Sequence, residues 1–298
     1  MNNKNLLVEE RSAQESRRSF IFGSLAVLSC SPITVRGATS KSLTPGCVLS
    51  TQQEEGPFYL DLDLMRGNIT EGRPGVPLKL QVTVLDSVHC APLRNALVDI
   101  WHCDASGFYS GFTASNPDNG PGGGPPPGGF GGPPPGQYGP PPGRMDARPL
   151  RSSDGGPRRG PRPQRRTDET TFFRGVQLTD EQGVARFTTI YPGWYVSRDI
   201  HIHVKVHTGG QGANTKYSGG HISHVGQFFF PDELSDRIAR LEPYASHHAR
   251  RTRLDEDHVY QNEQGASSML TITPLTTSLA EGLTANAVVA VDPRRTFD

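Results

Sequence analysis

Residues 200–206 alternate strictly between apolar and polar side chains, and this alternation constrains the fold more than any other stretch. In an extended strand, successive side chains point to opposite faces. One face of this segment is therefore apolar and suited to a core, while the other carries two histidines at neighbouring positions. The apolar set is Ile200, Ile202, Val204 and Val206, and the polar set is His201, His203 and Lys205.

Further strand-like runs recur along the chain. They are rich in alternating apolar, β-branched or aromatic residues, and turn-forming Gly, Pro and Asp separate them. The runs are residues 78–85, 96–103, 183–191 and 226–230, with closing strands expected at 270–273 and 287–291. Helical periodicity is scarce, and the best short helix covers residues 231–241. The pattern predicts an all-β sandwich of short strands with long loops and one or two short helices.

The N-terminus has the features of a twin-arginine export signal. Arg17 and Arg18 precede a short apolar run over residues 22–28, which is too short to span a bilayer. We therefore predict a signal peptide over residues 1–38 and a periplasmic, extracellular or lipid-anchored protein. Two alternatives stay open: a frayed N-terminal helix, and a lipoprotein signal that ends before a lipidated Cys30, which would anchor the protein to a membrane.

The cysteines are consistent with an oxidising compartment. If Cys30 belongs to the leader, Cys47, Cys90 and Cys103 remain, an odd set without Cys-x-x-Cys spacing. We expect one disulfide and one free thiol, and the spacing does not fix the pair. A metal-binding role is not expected of these thiols.

The rest of the composition indicates one domain with a small-molecule partner. Formal net charge is zero, with 30 basic and 30 acidic residues, so no global field favours nucleic acid or a membrane surface.

Residues 39–298 are predicted to form a single sandwich domain with an insertion at about 115–167. Its residues 117–143 are nearly all Gly and Pro, and 144–166 are rich in Arg, so the insertion is expected to be a disordered surface loop. The alternative is that its arginines bind an anionic substrate or the cell surface. Deletion of residues 117–143 is expected to leave turnover largely intact.

Two tyrosines accompany the two histidines as candidate metal ligands. Tyr109 follows the predicted strand at 96–103, and Tyr195 stands six residues before His201. Phenolate oxygen is a hard, anionic donor, and a pair of phenolates favours a hard trivalent ion over zinc or copper. The set Tyr109, Tyr195, His201 and His203 therefore indicates ferric iron.

The motifs around these residues resemble those of the intradiol ring-cleavage dioxygenases. The resemblance extends from residues 54–59 to 288–292 and is interrupted by the insertion. It is strongest to exported, single-chain members that are similar to protocatechuate 3,4-dioxygenase. The motifs are Val98-Asp99-Ile100-Trp101-His102, Asp104-x-x-Gly107-x-Tyr109-Ser110, Arg174-Gly175-x-Gln177-x-Thr179-Asp180, Pro192-Gly193-Trp194-Tyr195-x-x-Arg198 and His201-x-His203.

This resemblance implies a fold, a cofactor and a reaction. The fold would be a β-sandwich of mixed sheets, and the cofactor a non-haem Fe(III) held by Tyr109, Tyr195, His201 and His203. A catechol would be cleaved between its hydroxylated carbons with O2 to a cis,cis-muconate-type diacid. Tyr195 would be the axial ligand, opposite His203, that leaves when substrate binds. Ferric iron is neutral with two tyrosinates and one hydroxide, and also with one tyrosinate and a catecholate dianion, so this exchange leaves no uncompensated buried charge.

Other residues receive roles from the same resemblance. Arg198 would stabilise negative charge on the substrate ring, and Gln227 would hydrogen-bond an intermediate or a ligand. Phe58 and Tyr59 are candidates for substrate specificity, with an edge strand as the alternative. Asp99, Trp101 and His102 are expected to pack behind the site, and Trp194 to wall the pocket.

Two other protein classes compete with this interpretation. A non-catalytic, transthyretin-like sandwich that binds a ligand would not explain two tyrosines beside His201-x-His203 and Arg198. A cupin-like ferrous dioxygenase would need a further carboxylate and histidine at cupin spacing, and the sequence does not place them. The identity of the catechol and the oligomeric state stay open.

Overall fold

Two β-sheets form the described part of the chain, which comprises residues 47–115, 164–213 and 216–297 of the computed structural model. The predicted signal peptide at 1–38 and most of the insertion at 115–167 lie outside these residues. Both predictions therefore stay predictions.

The first sheet is built around strand β1, Pro77–Asp86. One edge of β1 pairs antiparallel with β2, Ala91–Pro92, and with β5, Val184–Ile190. Its other edge runs parallel to β9, Leu283–Val291, which pairs antiparallel with β8, Thr271–Pro274. The sheet is therefore mixed, as predicted.

The second sheet has the strand order β4-β3-β6-β7 and is antiparallel throughout. Its strands are Leu97–Trp101 (β3), Arg174–Leu178 (β4), His201–Ala213 (β6) and Lys216–Phe229 (β7). The predicted strands at 200–206 and 226–230 are the inner ends of a much longer β6–β7 hairpin. Glycines near its tip hid the extension from an apolar-periodicity argument.

The main core lies between the two sheets. The alternating apolar residues of β1 and β6 belong to one buried cluster, and β3, which lies beside β6 in the second sheet, also contributes to it. Each fully buried aliphatic side chain of this kind stabilises the fold by about 1.5–3 kcal/mol. The members from these strands are Leu78, Leu80, Val82, Val84, Val98, Ile100, Ile202, Val204 and Val206. The predicted inward faces are confirmed.

The outer face of the second sheet is also buried, and this creates a second compartment. A segment before β1 and the loop after β3 cover the polar face of β6, so that His201, His203 and Lys205 are at most 4% exposed. Mostly aromatic side chains from these coverings, from β3 and from the turn before β6 form what we call the aromatic cluster. It contains Phe58, Trp101, Cys103, Tyr109, Phe112 and Tyr195.

Two short α-helices complete the described residues. Helix α1, Asp232–Ile238, lies within the predicted helix at 231–241 and begins after Pro231 without a side-chain cap. Helix α2, His258–Asn262, was not predicted, and Asp257 caps its N-terminus. Over the described residues, no helix has the length and apolarity to cross a membrane.

One disulfide joins the segment before β1 to the turn after it. Cys47 is bonded to Cys90, and Cys103 is a buried free thiol. The pattern of one bridge and one thiol agrees with the expectation for these three cysteines. The bridge tethers the covering segment to the first sheet.

Candidate metal centre

His201 and His203 project side by side from the start of β6. Cross-strand pairing places Trp101 beside His203 on one side and Gln227 on the other. The two imidazoles are at most 2% exposed, and their Nε2 atoms are 3.0 Å apart. The strand therefore delivers two nitrogen donors to one point.

Hydrogen bonding and stacking fix the orientation of both rings. His201 Nδ1 lies 2.6 Å from the carbonyl oxygen of Asp199. Because a carbonyl only accepts, Nδ1 carries the proton, and the lone pair on Nε2 faces the site. The His203 ring stacks flat on Trp101 at 4.8 Å, with an angle of 1° between the ring planes.

Tyr109 reaches the histidines from the loop after β3. The Asp104 carboxylate accepts two backbone N–H bonds within this loop, at 2.9 and 3.0 Å. Arg174 then holds Ser110, donating to its hydroxyl at 2.9 Å and to its carbonyl at 2.7 Å. The Tyr109 ring stacks on Phe58 at 4.6 Å. Tyr109 is thus fixed from both sides of its loop.

Tyr195 comes from a tight turn just before β6. Ser197 has a positive φ of 77°, which closes the turn, and the Arg198 N–H lies 3.4 Å from the Tyr195 carbonyl. Gly193 packs against the neighbouring loop, and a Cβ there would lie 2.5 Å from the carbonyl oxygens of Asp104 and Ala105. Gly193 therefore has a packing role between the two loops.

Three of the four predicted ligands converge on one atom of the fourth. His201 Nε2 lies 3.4 Å from the hydroxyl oxygens of both Tyr109 and Tyr195, and 3.0 Å from His203 Nε2. Two ligands about 2.1 Å from one ion and at right angles stand about 3 Å apart, so this spacing suits a shared ion. Within the described ranges, no group of three or more His, Cys, Asp or Glu side chains is arranged to hold a metal. The four predicted ligands are a different kind of donor set, because two of the four donors are phenolic oxygens.

Burial controls the charge of these donors. It lowers the pKa of His201 to about 3 and that of His203 well below 6.5, and Arg198 adds to both shifts, so both rings are neutral ligands. Burial also raises the pKa of Tyr109 and Tyr195 above 10.0, although Arg198 opposes the shift at Tyr195. A phenolate in this compartment therefore needs a cation beside it, which a metal ion would provide.

Arg198 supplies a fully buried positive charge next to Tyr195. Its Nε donates to Asp257 at 2.9 Å, its Nη2 donates to the Gln227 amide oxygen, and its Nη1 lies 3.6 Å from a Glu54 oxygen. Burial lowers its pKa, but the negative potentials of Tyr195, Asp257 and Glu54 outweigh burial and raise it. Arg198 is therefore charged at all ordinary pH values.

Other predicted site residues lie where their contacts show their roles. The Gln227 amide oxygen accepts from Arg198, and its NH2 group donates to the Glu54 carbonyl at 2.9 Å, so this side chain contacts the arginine and the covering segment. Trp194 packs in the main core and donates to the Ala249 carbonyl, which differs from the expected pocket wall. Phe58 belongs to the aromatic cluster and is not part of an edge strand.

Sequence reasoning did not predict several contacts around the site. Lys205 lies 2.8 Å from Glu55 and 3.3 Å above the Tyr59 ring, and the Tyr59 hydroxyl donates to Asp99 at 3.1 Å. Asp257 was not singled out either. An Asp before a short polar run signals a helix cap, but nothing local connects position 257 to position 198.

Comparisons with known proteins relate this chain to dioxygenases. A family model described as Dioxygenase matches residues 55–123. No curated protein matches the chain. The intradiol ring-cleavage dioxygenase from Tetranychus urticae is 28% identical, with a TM-score of 0.62 over 85% of this chain and 98% of its own. The resemblance inferred from the motifs is thereby confirmed.

Two further solved structures match at lower identity. The dioxygenase domain of a carbohydrate-binding fusion from Streptomyces sp. SirexAA-E is 20% identical, with a TM-score of 0.45 over 82% of this chain and 99% of its own. Hydroxyquinol 1,2-dioxygenase from Pseudomonas putida DLL-E4 is 15% identical, with a TM-score of 0.45 over 82% of this chain and 66% of its own.

Proposed function

We propose that this chain, an intradiol ring-cleavage dioxygenase by its motifs, family match and fold, is an iron(III) enzyme that cleaves a catechol. The ligands would be Tyr109, Tyr195, His201 and His203. The observation that carries the proposal is their convergence within 3.0–3.4 Å of one imidazole nitrogen. Two neutral imidazoles and two hard oxygens form a donor set suited to a ferric ion.

Bound iron(III) would act as a Lewis acid toward a catecholate and make its ring reactive toward O2. The bond between the two hydroxylated carbons breaks, and both atoms of O2 enter the product. The product is a cis,cis-muconate-type diacid.

Tyr195 would be the ligand that gives way to substrate. Its raised pKa means that its phenolate readily takes a proton once it leaves the cation. When a catechol binds as the dianion, one proton would therefore pass to Tyr195 and the other to the hydroxide that balances the ferric charge, while Tyr109, His201 and His203 would keep their positions. Arg198 stays nearby as a fixed positive charge and stabilises the negative charge that develops on the ring.

The test is to purify the protein and measure colour, metal content and oxygen uptake. We expect one iron per chain, a visible tyrosinate-to-iron(III) band, and O2 uptake with one or more of catechol, protocatechuate, hydroxyquinol and larger lignin-type catechols. The product ratio should be one diacid per O2 consumed. Removing iron should abolish the band and the uptake together, and ferric iron, but not zinc, should restore both.

A colourless protein that holds stoichiometric zinc or ferrous iron would overturn this proposal. Catechol binding by a metal-free protein without O2 uptake would favour the non-catalytic sandwich module instead.

We also propose export by the twin-arginine route, with a periplasmic, extracellular or lipid-anchored location. The paired Arg17 and Arg18 ahead of an apolar run support it. Replacing both arginines by lysine should retain the protein in the cytoplasm. A Cys30→Ser variant that leaves the membrane fraction would show a lipid anchor, whereas an unchanged soluble fraction would show soluble export.

A further inference from the structure

We infer that Asp257 is a positioning residue for the proposed ring cleavage, because its carboxylate fixes both the Arg198 guanidinium and the backbone of Asp199, the residue whose carbonyl orients His201. The inference rests on the proposed function. It is carried by the contacts of one buried side chain.

One carboxylate oxygen of Asp257 serves the site. Oδ2 accepts from Arg198 Nε at 2.9 Å and from the Asp199 backbone N–H at 2.7 Å. The carbonyl of that same Asp199 accepts the His201 Nδ1 proton at 2.6 Å. This one oxygen therefore contacts the buried Arg198 directly and is linked to the proposed ligand His201 through Asp199.

The second oxygen is fixed by helix α2. Oδ1 accepts from the backbone N–H groups of Val259 and Tyr260, each at 2.9 Å. Capping a helix requires only one oxygen, so the cap does not account for the bonds of Oδ2. Four N–H donors hold a side chain that is 0% exposed, and the carboxylate is rigid for this reason.

The other partners of Arg198 do not replace Asp257. Gln227 is neutral, and the Glu54 oxygen is 3.6 Å away and also lies 3.3 Å from His258. Asp257 is the one fully buried counter-charge among these three. Because a guanidinium is planar, fixing Nε sets the plane in which the remaining N–H groups point.

The variant Asp257→Asn tests whether both pairs of hydrogen bonds to this carboxylate are needed. An amide can keep an oxygen toward one pair of donors only, and its NH2 group then faces the other pair. We expect kcat per bound iron to fall about 10–100-fold, with KM changing less than threefold and the visible band retained. Asp180→Asn is the matched control, since Asp180 also accepts two backbone N–H bonds, at 2.9 Å each, and pairs with Arg186 at a turn. It should leave kcat unchanged.

Guanidinium rescue distinguishes positioning from general stability. Guanidinium ion should restore turnover to Arg198→Ala, and adding Asp257→Asn should abolish that restoration. In the metal-free protein, the losses in urea midpoint from Arg198→Gln and Asp257→Asn should be less than additive, because both remove one interaction. If Asp257→Asn does not fold, Asp257→Glu keeps the charge, moves the carboxylate by one methylene, and should show the same fall in kcat.

Unchanged kcat per iron in a folded Asp257 variant, or rescue that persists in the double variant, would overturn the inference. A wild-type protein without iron colour or O2 uptake would instead sink the proposed function, so the two failures are distinguishable.

Discussion

Tyr109 and Tyr195 contact the same imidazole nitrogen, but the chain holds them by different means. Arg174 and Asp104 hold the loop of Tyr109 through side-chain hydrogen bonds of 2.7–3.0 Å. The turn of Tyr195 is closed by one backbone contact of 3.4 Å. At the residue scale, the bond that closes the turn of Tyr195 is therefore longer than those that hold the loop of Tyr109, although Trp194 and Gly193 beside it are bonded to the Ala249 and Asp104 carbonyls.

Removing each phenolic oxygen tests this difference. Tyr109→Phe should lower iron affinity by more than about 100-fold, because it removes a direct ligand from a fixed loop. Loss of a residue that only hydrogen-bonds a ligand usually lowers metal affinity by about 10–100-fold. Tyr195→Phe should retain iron, with a weaker visible band and slower substrate binding. Iron titration with stopped-flow absorbance measures both effects. Equal iron loss in the two variants would contradict the assignment of Tyr195 as the ligand that leaves.

At the element scale, the two tyrosine-bearing loops depend on each other. Gly193 donates its N–H to the Asp104 carbonyl at 3.1 Å, and a side chain there would meet backbone and not a flexible group. We expect Gly193→Ala to cost about 1–3 kcal/mol of unfolding free energy through overpacking and to lower iron content. Gly219→Ala is the control, since Gly219 has φ +72° and nothing within 4 Å, so it tests backbone strain alone. Full iron content in Gly193→Ala would show that the contact does not position the site.

The sequence predicted the elements whose signal is local. Strand alternation located the core faces of β1 and β6, and a short motif brought His201 and His203 together. The role of Asp257 was not predictable, because a contact with Arg198 across 59 residues leaves no periodic trace. The covering of the outer face of β6 was missed for the same reason: the segment around Phe58 is irregular and gains its position only from tertiary packing.

At the scale of the whole molecule, His102 joins the two sheets. It follows β3 of the second sheet, and its Nε2 contacts the Thr189 hydroxyl on β5 of the first sheet at 2.7 Å. Its Nδ1 donates to the Cys103 carbonyl at 2.7 Å, so Nε2 is the acceptor. The join therefore requires a neutral imidazole. Burial, together with the charge of Arg174, lowers the pKa of His102 to about 4.

Acid should therefore weaken the fold through His102. An unfolded chain binds this proton near pH 6.5, whereas the folded chain binds it near pH 4, so His102 reduces stability as the pH falls between these values. The effect of a shift of this size is about 3 kcal/mol. Burial raises the pKa of Asp99 to about 7, which acts with the opposite sign in the same range, so the raw profile of the wild type is not diagnostic. Urea unfolding of the wild type and of His102→Asn at pH 4 to 7 isolates the contribution of the histidine. The difference in unfolding free energy in favour of the wild type should shrink by about 3 kcal/mol from pH 7 to pH 4. A constant difference would show that this proton is not linked to folding.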